Sequence, residues 1–270
     1  MSNNIIYEAN NITIINDNII QAPIQTESID LVITSPPYNV NLDYNEYKDN
    51  LSYSEYLKFS EKWLQKIHSV LKPDGRLCLN IPLDININFL EDKKTIVEPI
   101  YSDLLQIAKL AGLKYHGSII WIKHNVSRRT AWGSYQSASA PCVIAPIEFV
   151  ILFYKETWKK KSEKNNDITS DEFIDWTDGI WEMNYKDIAK IGHPAAFPEE
   201  LPHRCIKLFS YVGDTVLDPF MGSGTTLVSA FKNKRKAIGV DISREYCDYS
   251  VNRLKLAGIN AEANLRRVFK

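Results

Sequence analysis

The sequence predicts an α/β fold with a mostly parallel sheet, on two observations. Short apolar runs rich in β-branched residues alternate with longer stretches whose apolar residues recur at helical spacing. Two of the runs feed directly into compact turns, one at Ser35-Pro36-Pro37-Tyr38 and one at Gly222-Ser223-Gly224. With 270 residues the chain has room for one large domain, or one domain with a small insert.

Residues 12–15, Ile-Thr-Ile-Ile, form the first predicted strand, and the turn-like Asn16-Asp17-Asn18 places Asp17 just past its end. Residues 31–34 form the next. The spacing of Tyr56, Leu57, Phe59, Trp63, Leu64, Ile67, Val70 and Leu71 predicts a helix over 54–71, stopped by Lys72-Pro73-Asp74-Gly75. A strand at 76–81, a helix at 99–111 and strands at 117–122 and 147–154 follow. The stretch 155–191 is polar and charged, with Trp158, Trp176 and Trp181 scattered through it, and reads as an insert rather than core. A helix at 198–210, a strand at 215–217, a helix at 225–232, a strand at 236–240 and a closing helix at 245–256 complete the chain. The predicted division is therefore 1–154, an insert 155–191, and 192–270. No internal repeat or low-complexity tract is visible.

The formal net charge is −1, so overall electrostatics do not announce a nucleic-acid binder. Basic residues are clustered locally: Lys123, Arg128 and Arg129 in one place, and Lys155, Lys159, Lys160, Lys161 and Lys164 in another. Such clusters are either phosphate contacts or solvated faces. The four cysteines, Cys78, Cys142, Cys205 and Cys247, are widely separated without metal-ligand spacing, which predicts reduced thiols and no metal site. Met1-Ser2-Asn3-Asn4 lacks the pattern of a signal peptide, and no run approaches the length of a membrane span, so a cytoplasmic setting is expected.

Thr215-Val216-Leu217 leads into Asp218-Pro219-Phe220-Met221-Gly222-Ser223-Gly224-Thr225-Thr226. A strand, a Gly-x-Gly turn and a helix aim backbone N–H groups and the helix N-terminus at a ligand, and glycines let the backbone approach it closely. The Walker lysine and the full dinucleotide GxGxxG are both absent. Asp241 ends the next strand, where a carboxylate can accept hydrogen bonds from ribose hydroxyls; it could equally cap the following helix, with Ser243 as competitor.

Thr34-Ser35-Pro36-Pro37-Tyr38 has a different use. An aromatic amine is a poor nucleophile because its lone pair is delocalised into the ring. Preorganised acceptors aimed at its N–H bonds favour the pyramidal nitrogen that can attack a methyl donor. Ser35 Oγ and the Pro36 carbonyl are the natural acceptors. Two prolines stiffen the turn, and Tyr38 offers a ring on which a base outside the duplex can stack. The plain alternative is a rigid surface turn.

Taken together, these motifs make the chain resemble the amino-group DNA methyltransferases that use S-adenosylmethionine, in the permuted order called the beta class. The resemblance covers nearly the whole chain: the catalytic motif Thr34–Tyr38 precedes the cofactor motif Asp218–Thr226, and His193-Pro194-Ala195-Ala196-Phe197-Pro198 resembles the segment packed along the cofactor's methionine moiety. It implies a Rossmann-like, mostly parallel seven-stranded sheet with helices on both faces. It implies Asp17 near the cofactor's adenine, Asp241 near its ribose, and Phe197, Pro219, Phe220, Gly222, Ser223, Gly224, Thr225 and Thr226 around it. The insert stands where that class carries its target-recognition region. The implied partner is double-stranded DNA, contacted by Lys123, Arg128, Arg129, Lys159, Lys160 and Lys161. A restriction-modification system is expected, with room for a cognate restriction endonuclease and a homodimer.

Thr-Ser-Pro-Pro-Tyr is typical of N4-cytosine enzymes in that family and Asp-Pro-Pro-Tyr of N6-adenine enzymes, so N4-cytosine is favoured, with N6-adenine the alternative because Asn39 is common among the latter. The loop 39–51 is expected to close over the site, with Arg128, Arg129, Trp132 and Tyr135 in a loop facing DNA. Pro141-Cys142 resembles the nucleophile of C5-cytosine enzymes, but the Glu-Asn-Val partner of that chemistry is absent, and Cys142 reads as a packed thiol. An RNA or small-molecule methyltransferase, and a non-catalytic DNA-binding module, are the other classes the sequence leaves open.

Overall fold

The computed structural model describes residues 4–40, 43–44, 47–48, 51–89, 94–123, 134, 136–141, 143, 145–161, 164–183 and 197–258. In chain order the elements are β1 (Ile5–Ala9), β2 (Ile12–Asn16), β3 (Ile29–Thr34), β4 (Asp43–Tyr44), β5 (Tyr47–Lys48), α1 (Tyr53–Val70), β6 (Leu71–Pro82), β7 (Ile85–Phe89), β8 (Lys94–Glu98), α2 (Ile100–Leu110), β9 (Lys114–Ile122), β10 (Ile147–Tyr154), α3 (Ser170–Trp176), β11 (Ile180–Glu182), α4 (Glu200–Phe209), β12 (Thr215–Asp218), α5 (Thr225–Lys232), β13 (Lys236–Asp241) and α6 (Arg244–Leu256).

The main sheet runs β1-β2-β13-β12-β3-β6-β10-β9-β11. The seven strands read from the sequence form its uninterrupted interior. The expected count of seven is corrected to nine by one added strand at each edge. β1 pairs antiparallel with β2 across a tight turn at Asn10 and Asn11, whose φ angles are 51° and 65°; asparagine tolerates this left-handed region better than most residues. β11 pairs parallel with β9. Its three residues are too few for a periodic pattern to show. β10 runs antiparallel to both β6 and β9, while β2, β13, β12, β3 and β6 are mutually parallel.

Side chains alternate between two cores, as the pleat requires. Ile14, Leu31, Ile33, Cys78 and Val216 pack under α4, α5 and α6. Ile15, Val32, Leu77, Leu79 and Leu217 pack under α1 and α2. Ser52 starts α1 with a reciprocal capping box to Glu55. The chain leaves β3 through α1 toward β6, but leaves β12 through α5 toward β13, on the opposite face. Adjacent strands β3 and β12 thus diverge, and the crevice beyond their C-terminal ends is where open α/β sheets bind ligands.

Part of the segment 155–191 joins the main sheet and its core. β11 belongs to the main sheet, and Trp176 and Trp181 are buried in the core under α4. Trp181 Nε1 donates to the Trp176 carbonyl at 2.9 Å, which lets the indole bury without an unpaired donor. The segment's polar composition concealed this because its buried residues are few and large.

The lysine cluster also differs from the expectation of DNA contact. The Lys160 side chain is buried between Asp30 and Asp214, with N–O separations of 3.7 and 3.5 Å, and Lys164 reaches Asp214 at 2.6 Å. Lys155 reaches Glu27 at 3.0 Å. Asp30 lies at the start of β3 and Asp214 just before β12, so this cluster is at the end of the sheet opposite the crevice. Lys160 is a structural counterion there, and the exposed Lys159 and Lys161 share that far end. The three described cysteines, Cys78, Cys205 and Cys247, are buried and unbridged. Among the described residues no helix is long and apolar enough to cross a membrane.

Candidate active site

A cleft opens at the C-terminal ends of β2, β13, β12 and β3. It is lined by Asp17, Ser35, Pro36, Pro37, Tyr38, Phe197, Asp218, Pro219, Phe220, Gly222, Ser223, Thr225 and Asp241, all singled out in the sequence. Asn18, Ile19, Phe59, Met221, Ile242 and Tyr246 complete the wall. Gly224 and Thr226, also predicted, are not among the lining residues: Gly224 packs against Ser250, and Thr226 donates to Asp218.

Asp218 joins the two motifs. It is buried, and its carboxylate accepts from Thr34 Oγ1 at 3.1 Å, Thr226 Oγ1 at 2.6 Å and the Phe220 amide at 3.2 Å. Thr34 ends β3 and Thr226 begins α5, so one side chain fixes both turns relative to each other. Burial outweighs these hydrogen bonds and pushes the carboxyl up to about 6. Between about pH 4 and pH 6 the folded state therefore holds a proton that the unfolded state releases, and stability falls as pH rises through that window. Asp218→Asn removes this loss. Its melting temperature relative to the wild-type protein should rise between about pH 5 and about pH 7.5; a difference independent of pH would contradict the assignment.

The glycine turn is held from behind. Gly222 and Gly224 adopt positive φ, 47° and 76°. The Gly222 carbonyl accepts from Ser250 Oγ at 2.8 Å, and the Ser223 carbonyl from Arg253 at 2.8 Å, both on α6. The Gly222 amide donates to Asp241 Oδ2 at 2.9 Å and the Ser243 amide to Asp241 Oδ1 at 2.9 Å. Ser243, the competitor for the cap, is the residue that caps α6, and Asp241 faces the cleft. Asn16 ties β2 to β13 by donating to the Asp241 and Ile242 carbonyls at 3.1 and 2.8 Å. Asp17 accepts from Asn4 Nδ2 at 2.8 Å and from the Asn18 amide at 2.7 Å. Phe220 rests on the edge of Trp63, with ring centroids 5.5 Å apart.

In the proline turn, Ser35 Oγ lies 2.5 Å from Tyr38 Oη. Tyr38 Oη lies 3.2 Å from both the Asn80 carbonyl and Asn80 Nδ2, and 3.3 Å from Glu148 Oε2. Asn80 Nδ2 donates to Glu148 Oε2 at 2.6 Å, and Lys123 forms a salt bridge with Glu148 Oε1. Asn80 and Glu148 were missed in the sequence. The signal was a single polar residue within each of two apolar strands, Leu77-Cys78-Leu79-Asn80-Ile81 and Ile147-Glu148-Phe149-Val150; buried polar groups of this kind need partners. Lys123, predicted to contact DNA, is engaged by Glu148. Asn39 follows the turn with φ 60°, and its Nδ2 donates to the Leu51 carbonyl at 2.8 Å, pinning the base of the loop between them. Arg128, Arg129, Trp132, Tyr135, Cys142 and 193–196 lie outside the described residues.

Residues 29–252 match the family model described as DNA methylase, of the N6/N4 type. The type II methyltransferase M.MjaVI of Methanocaldococcus jannaschii is 53% identical over 172 residues, 64% of this chain and 85% of that protein. M.MjaI, a type II methyltransferase of the same organism, is 30% identical over 261 residues, 82% of this chain and 83% of that protein. The solved structure of TTHA0409 from Thermus thermophilus, complexed with S-adenosyl-L-methionine, superposes with a TM-score of 0.70 at 25% identity, covering 90% of this chain and 93% of that one. The motifs, their order, the crevice that joins them and this breadth of similarity agree: the chain belongs to the N6/N4 DNA methylase family.

Proposed function

We propose that this protein transfers a methyl group from S-adenosylmethionine to the exocyclic N4 amino group of cytosine in double-stranded DNA, as the modification enzyme of a restriction-modification system. The observation that carries this is the juxtaposition of the two turns. Ser35-Pro36-Pro37-Tyr38 and Asp218–Thr225 border one cleft and are braced together through Asp218.

The donor set fits the cofactor. Asp17 and Asp241 offer carboxylate oxygens to its hydroxyl and amino groups, Phe220, Ile19 and Ile242 offer apolar surface to its adenine, and the glycine turn brings backbone close to its remaining polar end. S-adenosylmethionine supplies an electrophilic methyl group beside the proline turn. Ser35 Oγ and the Pro36 carbonyl accept from the target amine, and Tyr38 stacks on the flipped base. Serine at the first catalytic position favours cytosine. Asn39, the residue that pointed to adenine, has a local duty in the left-handed turn and the anchor to Leu51, which lessens its weight as a mark of adenine specificity.

A non-catalytic DNA-binding module has no use for a cofactor cleft fused to an amine-binding turn. An RNA or small-molecule enzyme is separated by substrate. With labelled S-adenosylmethionine, duplex DNA should take up label while RNA and free nucleosides do not. Preferential labelling of RNA or nucleosides would overturn the DNA reading.

A further inference from the structure

Two neighbouring strands, β6 and β10, and the residue that follows β9 place one polar side chain each behind Tyr38. Asn80 lies opposite Val150 and diagonal to Glu148, which itself lies opposite Trp121, two residues before Lys123. Asn80 and Glu148 are buried. A buried carboxylate needs partners, and Lys123 and Asn80 supply them to Glu148 while leaving it in reach of Tyr38. The chain of contacts runs Lys123–Glu148–Tyr38–Ser35, with Asn80 bridging Glu148 and Tyr38.

The proton positions follow from valence and from acceptor strength. Tyr38 has one hydroxyl proton and can accept two hydrogen bonds. Asn80 Nδ2 donates to it at 3.2 Å. Two acceptors lie within reach of the Tyr38 proton, the Asn80 carbonyl at 3.2 Å and Glu148 Oε2 at 3.3 Å, and the carboxylate, which Lys123 pairs, is the stronger of the two. Tyr38 then accepts from Ser35, so the Ser35 proton points toward Tyr38 and its lone pairs are left for an incoming amine.

We infer that Glu148, acting through Tyr38, both fixes Ser35 as an acceptor and receives the proton that the target amine sheds. This rests on the amino-group transfer proposed above. As the N–C bond forms, the S–C bond breaks with its electron pair remaining on sulfur, and the amine nitrogen becomes cationic. It then gives one proton to Ser35 Oγ. Ser35 passes its own proton to Tyr38 Oη, and Tyr38 passes its own to Glu148 Oε2. The methylated amine ends neutral, Ser35 and Tyr38 are restored, and Glu148 is a neutral acid until solvent takes the proton. Lys123 and Asn80 are positioning residues that hold Glu148 in line.

A double-mutant cycle with Glu148→Gln and Tyr38→Phe tests this on the full chain with duplex DNA and S-adenosylmethionine. Glu148→Gln keeps the shape and removes the proton acceptor. Single-turnover rate should fall on the order of a hundredfold, with cofactor affinity by calorimetry within about twofold of wild type. Tyr38→Phe keeps the ring, severs the chain, and should slow the same step. Because both act through one path, the double variant should be no slower than the slower single variant. Multiplicative losses, or a Glu148→Gln enzyme with wild-type single turnover, would overturn the relay. Should Glu148→Gln fail to fold, Tyr38→Phe decides alone: an undiminished single-turnover rate rejects the relay. Product analysis of the wild-type reaction separates the two levels. No amino-methylated base means that amino-group transfer and the relay both fail; an amino-methylated base with a multiplicative cycle removes only the relay.

Discussion

Ser35→Ala is expected to reduce methyl transfer on the order of a hundredfold or more, the usual cost of losing one preorganised transition-state hydrogen bond, while leaving cofactor affinity nearly unchanged. The structure gives the reason. Ser35 is positioned through Tyr38 Oη at 2.5 Å, within its own turn. The glycine turn, proposed as the cofactor's seat, has braces of its own on α6, Ser250 and Arg253. Single-turnover kinetics with saturating cofactor, alongside calorimetry, resolve the two effects. An active Ser35→Ala enzyme would remove the amine-acceptor role.

Gly224→Ala should act on the opposite wall. The residue sits at φ 76°, and an added Cβ would lie 2.7 Å from Ser250 Oγ and 2.9 Å from Ser250 Cβ. The left-handed conformation costs a non-glycine residue roughly 1–2 kcal/mol. Displacing Ser250 also breaks its hydrogen bond to the Gly222 carbonyl. The expected result is a loss of cofactor affinity on the order of tenfold or more, with far-ultraviolet circular dichroism unchanged. Unaltered affinity would mean that this turn is not the cofactor's seat.

The seven interior strands and the two turns were legible because each strand is an apolar run and the two beside the crevice end in chemically distinctive turns. Periodicity and motif therefore point to the same elements. The edge strands were not. β1 buries only two of its five residues and β11 has only three residues, so neither carries a readable pattern. The tryptophans of 155–191 were misplaced for a related reason: composition averages over a segment, whereas Trp176 and Trp181 reach the core as individuals. Lys160 shows the limit of reading charge along the chain. Its partners Asp30 and Asp214 are 130 and 54 residues away, and only the fold brings them together. Glu148 and Asn80 were visible as lone polar residues in apolar strands, but their common target, Tyr38, depends on the order β3-β6-β10.

If the proline turn directs methyl transfer to an amino nitrogen of cytosine, the product itself carries the proof. Duplex DNA is modified with the purified protein and labelled S-adenosylmethionine, digested to nucleosides, and the labelled species identified. N4-methylcytosine is the expected product. Label in N6-methyladenine would keep the amino-group mechanism and reassign the base, whereas label in 5-methylcytosine would contradict amino-group transfer outright.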